Sequence, residues 1–430
     1  MDFKKTFYQL SQKITEGIYL CSNFLNGVHI LLSEKVYYLY KDNQLDNLMT
    51  LYPKIFQRLI EGKFLVPKNL DEFKEILDER KKEFEDTNMY QLIINPTLDC
   101  NLSCWYCYEN KIVNSCMTDS TIDAISHQIT YHYKQTHYSL LKLSFFGGEP
   151  FLKFSIVKKI IDNANAFCNK NNILLILDFT TNGTLCNKKV VEYLKTFICY
   201  FQITLDGDKK QHNKIKHTAS SSFDAFSTTI ENIKTIVKEI PKVNVSIRIN
   251  FDRNTLSKFD SILQELLPLD RKKITIILKK IWQEDINHIS KAQVLDTIKK
   301  LCREDFVVDY YSQGGICLCD RKNEAVINYD GKIFKCTTIP KFDEAHAMGH
   351  LETNGISWYQ EKIAYLNDYH VLTECKKCRM FPICGGLCQK KIATNEDFTC
   401  FLKNINFNLK EFVLIQFKIN LIKEKVYANK

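Results

Sequence analysis

The sequence lacks any apolar run long enough to cross a membrane as a helix. Its longest runs, such as Ile173–Leu177, have the length of a strand, whereas a spanning helix needs about 20 apolar residues. The first twenty residues carry charges and lack the continuous apolar core of a secretory signal. We therefore expect a cytoplasmic protein that has no membrane partner.

Concentrated basic charge is also missing. The formal net charge is +9, from 59 lysines and arginines against 50 acidic residues, but the lysines are spread along the whole chain. Nucleic-acid binding needs a clustered basic stripe with aromatic side chains on which bases stack. The sequence shows no such stripe, so we expect no nucleic-acid partner, and acidic peptides remain compatible with the charge.

Cysteine, in contrast, is abundant, with 17 residues. In a reducing compartment these are metal ligands more often than disulfides. Cys100, Cys104 and Cys107 form a Cys-x3-Cys-x2-Cys run. A closed zinc or [4Fe–4S] site needs four protein ligands, so three thiolates leave one iron open to an exchangeable ligand. The alternative is a zinc knuckle completed by a distant residue, or three unrelated thiols.

The length of 430 residues predicts two or three domains. From about residue 90 to 302 the sequence alternates six times between strand-like and helix-like segments, with amphipathic helices at 156–168, 223–239 and 292–302. Such repeats predict a parallel sheet, covered on both faces, that curls into an open barrel with ligands at the carboxyl ends of its strands. The predicted strands are 92–94, 141–146, 173–179, 200–205, 243–249 and 274–278.

Residues 1–88 form a separate predicted unit. Residues 18–32 read as two strands joined at Asn26-Gly27, a strong hairpin signal. Helical stretches at 34–40 and 49–61, an extended segment at 64–67 and a charged helix at 70–84 follow. Strands, helices and a wing-like segment together predict a small winged-helix-like module.

Three further motifs end predicted strands. Gly147-Gly148-Glu149-Pro150 closes the second strand, and two glycines allow a close backbone approach to a ligand. The segments 180–184 and 204–207 end the third and fourth strands. All of them fall on the face of the sheet where the three-cysteine loop lies.

These motifs, in this order, resemble those of the radical SAM enzymes. The resemblance implies that Cys100, Cys104 and Cys107 hold a catalytic [4Fe–4S] cluster whose open iron binds S-adenosylmethionine (SAM), and that Gly147 to Pro150 hold its amino group. It also implies cofactor contacts from Thr181 and Asn182, near the ribose and carboxylate. The implied cofactor-binding residues are Tyr106, Gly147, Gly148, Glu149, Pro150, Thr181, Asn182, Asp206 and Arg248.

Arg248 lies inside the fifth predicted strand. An inward guanidinium needs an anion, since an unpaired buried charge is costly, and the SAM carboxylate is our candidate; a surface-facing arginine is the alternative. The family often has an arginine a few residues after the Asp-Gly turn, where this chain has Lys216. Lysine keeps the charge but loses the bidentate fork, which leaves that carboxylate contact open.

The cysteines near the carboxyl end resemble a SPASM domain, which binds two auxiliary [4Fe–4S] clusters. The pattern implies an outer cluster on Cys375, Cys378, Cys384 and Cys400 and an inner cluster on Cys317, Cys336 and Cys388. Either Cys319 is the eighth ligand, or one iron of the inner cluster is open to substrate. A zinc ribbon is the alternative. The remaining cysteines fit no metal spacing; they are Cys21, Cys116, Cys168, Cys186, Cys199 and Cys302.

The first 88 residues resemble the PqqD-like recognition element of peptide-modifying radical SAM enzymes, which captures a leader peptide as an added strand. The implied domains are therefore this module at 1–88, a partial (β/α)6 TIM-like radical SAM core at 89–302, the SPASM domain at 303–408 and a terminal helix at 409–430. The implied partners are a ribosomal precursor peptide with a leader and a reductant such as flavodoxin or ferredoxin.

The order of these domains implies a peptide maturase. A 5′-deoxyadenosyl radical from SAM would abstract hydrogen from the peptide, giving a crosslinked or oxidised residue. An anaerobic sulfatase maturase is the alternative enzyme, disfavoured because those relatives carry an acid where this chain has Thr337 after Cys336. A non-catalytic iron–sulfur protein that binds peptides would not need the Gly147-Gly148 motif.

Overall fold

A computed structural model describes residues 2–218, 223–281, 283–311, 316–367, 369–386, 388–393, 400 and 407–428. The predicted 303–408 domain therefore includes stretches that lie outside the described residues. The chain divides into two compact units. One comprises residues 1–85, 312–320 and 367–417, and the other comprises 86–311, 321–366 and 418–430. None of the described helices is long and apolar enough to cross a membrane.

The first unit begins with the predicted amino-terminal module. Strands β2, β3 and β4 form an antiparallel sheet, and β1 pairs with β5. The predicted hairpin is confirmed, since β3 and β4 pair around residues 24–28. The strands are β1 (Phe3–Lys5), β2 (Gln9–Thr15), β3 (Ile18–Asn23), β4 (His29–Ser33) and β5 (Leu65–Pro67). The helices are α1 (Glu34–Lys41), α2 (Leu45–Leu51), α3 (Pro53–Glu61) and α4 (Glu72–Glu85).

The single helix predicted at 49–61 is wrong, because the chain breaks at Tyr52 into α2 and α3. Pro53 occupies the first turn of α3 and supplies no N–H to continue the preceding helix. The break lets Leu48 and Leu59, both fully buried, pack with Phe64 in one core.

The described residues of the second unit form an eleven-stranded open sheet in the order β12-β11-β10-β9-β8-β7-β6-β13-β14-β15-β16. The six predicted core strands are confirmed as β6 to β11, all parallel. They are β6 (Met89–Ile94), β7 (Leu140–Phe145), β8 (Leu174–Thr181), β9 (Ile198–Leu205), β10 (Val243–Phe251) and β11 (Ile274–Lys280). The added strands are β12 (Val307–Asp309), β13 (Glu324–Ile327), β14 (Lys332–Phe334), β15 (Gly349–Glu352) and β16 (Gly355–Trp358).

Helices connect the parallel strands. Side-chain oxygens start several of them by accepting from a backbone N–H of the first turn, as Asp208 does from Gln211. The helices of this unit are α5 (Asp119–Thr136), α6 (Phe154–Asn171), α7 (Lys188–Leu194), α8 (Lys209–Ile215), α9 (Ala225–Glu239), α10 (Arg253–Ser257), α11 (Phe259–Leu266), α12 (Lys291–Arg303) and α13 (Gln360–Ile363). The last helices of the chain are α14 (Thr373–Lys376), α15 (Phe381–Cys384), α16 (Gln389–Ala393) and α17 (Leu409–Tyr427).

Some of the parallel strands bury one face more deeply than the other. In β9, Phe201 and Ile203 are buried while Gln202 and Thr204 between them are half-buried. The predicted cover on both faces holds for β6, which is buried at five consecutive residues, whereas in β9 alternate residues form a buried apolar face and a polar face that is partly open. Polar side chains on that second face can meet a ligand at the carboxyl ends of the strands.

Candidate functional site

The three predicted cluster thiols lie on the loop between β6 and α5, at the carboxyl end of the sheet. Cys100 and Cys104 are half-buried and Cys107 is exposed. Burial raises the pKa of Cys100 to about 11 and that of Cys104 to about 12. Such thiols ionise when a metal ion binds them. A set of thiolates with no carboxylate among them fits an iron–sulfur cluster.

Backbone and side-chain hydrogen bonds shape this loop. The Asp99 carboxylate accepts from the backbone N–H of Cys100 at 2.8 Å and from that of Asn114 at 2.9 Å. The Lys111 ammonium lies 3.6 Å from the same carboxylate and donates to the Cys100 carbonyl. The loop is thus held at both ends by one acid, and a cation lies beside it.

The two glycines of the second motif lie directly against the cysteine loop. A Cβ atom at Gly147 would be 2.4 Å from the Thr97 carbonyl oxygen, and one at Gly148 would be 2.1 Å from the Asp99 carbonyl oxygen. Backbone N–H groups of Gly148 and Glu149 donate to these carbonyls at 3.2 and 2.8 Å. No residue with a side chain fits here without moving the loop, so the glycines bring the two motifs together.

Glu149 is fully buried and its carboxylate bonds to protein groups. It accepts from the Thr181 hydroxyl at 2.8 Å, from the Asn182 backbone N–H at 2.9 Å and from the Phe151 N–H at 3.1 Å. Burial raises its pKa, and these donors lower it. Glu149 therefore ties the end of β7 to the end of β8, and direct cofactor contact from this residue stays a prediction.

Asn182 links the end of β8 to the cluster loop. Its side-chain amide donates to Asn101 Oδ1 at 3.0 Å and lies 3.8 Å from the Cys100 sulfur. The Asn101 amide in turn donates to the Thr184 hydroxyl at 3.0 Å. The sequence-predicted Asn182 thus lies beside Cys100, whereas Thr181 contacts Glu149.

Asp206, Tyr106 and Asn250 form a buried polar group at the ends of β9 and β10. The Asn250 amide donates to Asp206 Oδ1 at 3.0 Å and to the Tyr106 hydroxyl at 3.2 Å. The Lys216 ammonium lies 3.6 Å from Asp206 Oδ2, and both residues are almost completely buried. It also donates to the Thr204 hydroxyl.

The sequence analysis missed Asn250, and it considered Lys216 only as a contact for the SAM carboxylate. The signal for Asn250 was a polar residue two positions after Arg248 on the same side of the strand. The buried Lys216 ammonium lowers the pKa of Cys104 and of Cys107, against the larger effect of burial, so its charge reaches the cluster loop. Asp206 and Thr204 contact the Lys216 ammonium, and its contact with a SAM carboxylate stays a prediction.

Arg248 is half-buried on β10, and its Nε donates to Asn250 Oδ1 at 2.9 Å. It therefore faces the same end of the sheet as Tyr106 and Asp206, as the inward interpretation expects. Its contact with a SAM carboxylate stays a prediction.

His212 contacts Asp206 of this polar group and should make the stability of the folded protein depend on pH. It is fully buried, its Nδ1 accepts from the Asp206 N–H at 3.2 Å, and burial lowers its pKa to about 3. The unfolded chain, with a histidine pKa near 6.5, binds the proton that the folded chain excludes, so this contribution is present above pH 6.5 and lost as pH falls toward 3. Between pH 7 and 5 we expect a loss on the order of 2 kcal/mol.

Thermal unfolding of the apoprotein at pH 7 and pH 5 checks this. His212→Asn keeps an acceptor near the Nδ1 position but does not titrate, so its melting temperature should fall less than that of the wild type. An equal fall in both proteins would contradict the assignment.

The thiols of the predicted outer cluster lie together in the first unit. Burial raises the pKa of Cys375, and the neighbouring thiols Cys384, Cys378 and Cys400 raise it further. For the predicted inner cluster, the Cys319 sulfur lies 3.4 Å from that of Cys317 and 3.7 Å from that of Cys388. Cys336, which follows β14 in the second unit, stays a predicted fourth ligand.

Comparisons with known proteins agree with these motifs. Residues 96–224 match a family model described as a 4Fe-4S single cluster domain. A cysteine-type anaerobic sulfatase-maturating enzyme of Clostridium perfringens is 23% identical over 361 residues, which cover 75% of this chain and 94% of that protein. The radical SAM cyclopropyl synthase TigE of Paramaledivibacter caminithermalis is 24% identical over 247 residues, 53% of this chain and 49% of the synthase.

Other matches are shorter or structural. An uncharacterized protein of Methanocaldococcus jannaschii is 35% identical over 122 residues, which cover 28% of this chain and only 39% of that protein. A solved structure of native anSMEcpe with bound AdoMet superposes with a TM-score of 0.57 at 20% identity, over 78% of this chain and 99% of that one.

The predicted α/β fold class is confirmed: the chain shares the fold of the anSMEcpe structure, with an open sheet in which β6 to β11 are parallel. The chain is thus similar in sequence to an anaerobic sulfatase-maturating enzyme and, over about half of its length, to a radical SAM cyclopropyl synthase. The matching family model supports a [4Fe–4S] cluster within residues 96–224, and the anSMEcpe structure, which has this fold, holds bound AdoMet. The number of clusters and the PqqD-like assignment stay predictions.

Proposed function

We propose that this protein is a radical SAM enzyme that modifies residues of a ribosomally made precursor peptide. The observation that carries the proposal is the fit of Gly147 and Gly148 against the loop of Cys100, Cys104 and Cys107. Backbone contacts this close join a three-thiolate site to a second loop that can hold an exchangeable ligand. A purely structural metal site has no need of that second loop.

The chemistry belongs to the cofactors, and the protein supplies orientation and charge. A [4Fe–4S] cluster with SAM on its open iron would supply reductive cleavage to methionine and a 5′-deoxyadenosyl radical. Glu149 and Asn182 fix the loop geometry from β7 and β8. Lys216 places a buried positive charge that favours the thiolate forms of Cys104 and Cys107.

The peptide substrate is the finer part of the proposal. The relative TigE is, by its name, a radical SAM cyclopropyl synthase. The predicted winged-helix-like module offers antiparallel strands to which a leader peptide could add as a further strand. Supporting this, β2 and β4 are the outer strands of the three-stranded sheet. The crosslinked or oxidised product, and the flavodoxin or ferredoxin reductant, belong to the same proposal.

Two auxiliary clusters complete the proposal, and they would accept the electron left after bond formation. Cys319 is buried beside Cys317 and Cys388, which favours it as the eighth ligand over an open iron. With all irons ligated, the inner cluster would transfer electrons and would not bind the peptide directly.

A sulfatase maturase is the second candidate, favoured by the 94% coverage of the Clostridium enzyme. It remains second because Thr337 stands where an acid is expected next to Cys336. The two functions separate by substrate. We expect mass changes in a short peptide encoded beside the gene, and none in a sulfatase peptide that carries the target Cys or Ser; formylglycine in the sulfatase peptide alone would reverse the ranking.

Arg248→Ala tests the proposed carboxylate contact. A hydrogen bond to a charged group is worth roughly 1.5–3 kcal/mol, so SAM affinity should fall about ten- to a hundredfold while iron content stays unchanged. Anaerobic calorimetry measures the affinity. The Arg248→Lys variant keeps the charge without the bidentate fork, so its SAM affinity should lie between those of the wild type and Arg248→Ala. Unchanged affinity in the alanine variant would assign the carboxylate to another group.

A further inference from the structure

Helix α4 buries an arginine at the centre of its inner face. Only Ile76, Arg80 and Phe84 are buried among its 14 residues, and Arg80 is 6% exposed. A guanidinium at such a position is costly unless oxygen acceptors surround it. Its partners therefore show what this face of the amino-terminal module is built to hold.

Those partners lie about 300 residues further along the chain, between Cys378 and Cys384. The Arg80 guanidinium donates to the Pro382 carbonyl at 2.8 Å and to the Phe381 carbonyl at 3.5 Å. Its central carbon lies 5.6 Å from the centre of the Phe381 ring. Phe73, two turns earlier on α4, meets the same ring at 5.5 Å.

Gly385, the residue after Cys384, leaves room for the Arg80 guanidinium. Gly385 ends α15 with φ at +73°, a conformation that favours glycine, and a Cβ atom there would be 2.5 Å from Arg80 Nη1. The Tyr369 hydroxyl donates to the Gly385 carbonyl at 2.5 Å. The loop that presents two predicted ligands is thus fitted around a cation from the amino-terminal module.

The charge of Arg80 also lies beside a predicted ligand. Gly385, whose Cβ position is 2.5 Å from Arg80 Nη1, is the residue directly after Cys384. Reduction of a cluster adds one negative charge, and a nearby buried cation stabilises the reduced form.

We propose that Arg80 is a positioning residue for the outer metal site, where it fixes the loop of Cys378 and Cys384 and raises the reduction potential of the cluster held there. The inference rests on the proposed function in one respect, the presence of an outer auxiliary cluster. The amino-terminal module then serves the redox centre in addition to any role in peptide recognition.

The test uses the full-length protein, reconstituted anaerobically, as wild type, Arg80→Met and Arg80→Lys. Iron and sulfide content are measured first, and cluster potentials follow from a redox titration monitored by electron paramagnetic resonance. In Arg80→Met we expect one of two results. Either one cluster is lost, which lowers the iron content by about four, or the reduction potential of that cluster falls by about 59 mV. That shift corresponds to a tenfold change in the oxidised-to-reduced ratio for one electron. Arg80→Lys should keep the cluster and most of the potential.

Arg271→Met is the matched control. Arg271 also donates to a backbone carbonyl, that of Leu267 at 2.9 Å, and lies 3.9 Å from the Phe306 ring, but it belongs to the second unit. It should change no potential. Arg80→Met with wild-type iron and unchanged potentials would overturn the inference. If that variant does not fold, Arg80→Gln decides by the same measurements, and unchanged potentials there would overturn it as well.

The two proposals fail differently. A wild type with only about four irons, at the Cys100 site, would remove the outer cluster and the Arg80 inference with it. A wild type with about twelve irons and an unresponsive Arg80 would overturn the inference alone.

Discussion

Replacing Cys100, Cys104 and Cys107 together with alanine should remove about four of about twelve irons and abolish SAM cleavage. The reason is that these three thiols directly follow the backbone at Thr97 and Asp99 against which Gly147 and Gly148 lie, and Asn182 lies 3.8 Å from the Cys100 sulfur. Iron analysis after anaerobic reconstitution and chromatography of the cleavage products measure both effects.

The control for this triple variant uses cysteines that fit no metal spacing. Cys116→Ala and Cys302→Ala remove one exposed and one half-buried thiol, and both should keep full iron and cleavage. Cleavage that survives in the triple variant would contradict the catalytic assignment.

Glu149→Ala should have the second largest effect. It leaves the Thr181 hydroxyl and the backbone N–H groups of Asn182 and Phe151 without their buried acceptor. Each unsatisfied buried group costs about 1–3 kcal/mol, so we expect a clear fall in melting temperature and loss of cleavage by at least about a hundredfold. Because Asn182 contacts the cluster loop, part of the iron at that loop should be lost too.

Two variants make the Glu149 result specific. Glu149→Gln keeps one acceptor oxygen but turns an amide donor toward the same donors, so its effect should be smaller than that of alanine. Glu192→Ala removes an exposed acid that pairs with Lys195 at 2.6 Å and should change nothing. Normal stability in Glu149→Ala would show that the hydrogen bonds around this carboxylate do not hold the site.

The parallel core was predictable because its signal is local. Strands β6 to β11 are short apolar runs, each followed by an amphipathic helix, and both periods can be read from the sequence. Strands β1, β2 and β12 to β16 were missed. β2 alternates polar residues with few apolar ones, and β13 joins the sheet beside β6 although about 230 residues separate them.

The site divides in the same way. The cysteine spacings and the Gly-Gly motif are contiguous in sequence, so they were found. The buried group of Asp206, Asn250, Tyr106 and Lys216 draws on four separate segments, and only the folded chain brings these side chains together. Position on a strand predicted the inward face of Arg248 but not its partner Asn250.

The domain boundaries were the hardest to predict. Residues 1–85 form one compact unit with residues 367–417, while residues 321–366 belong with the parallel core. Long-range contacts such as that of Arg80 with Pro382 leave no mark on composition or periodicity. The predicted recognition and SPASM roles of these segments therefore stay predictions.

The formation of 5′-deoxyadenosine tests the central claim most directly. The protein is reconstituted with iron and sulfide without oxygen, reduced chemically and incubated with SAM, and the products are separated by chromatography. We expect 5′-deoxyadenosine and methionine in equal amounts, beyond one turnover per chain. A fully loaded, reduced protein that forms no 5′-deoxyadenosine would contradict the assignment as a radical SAM enzyme.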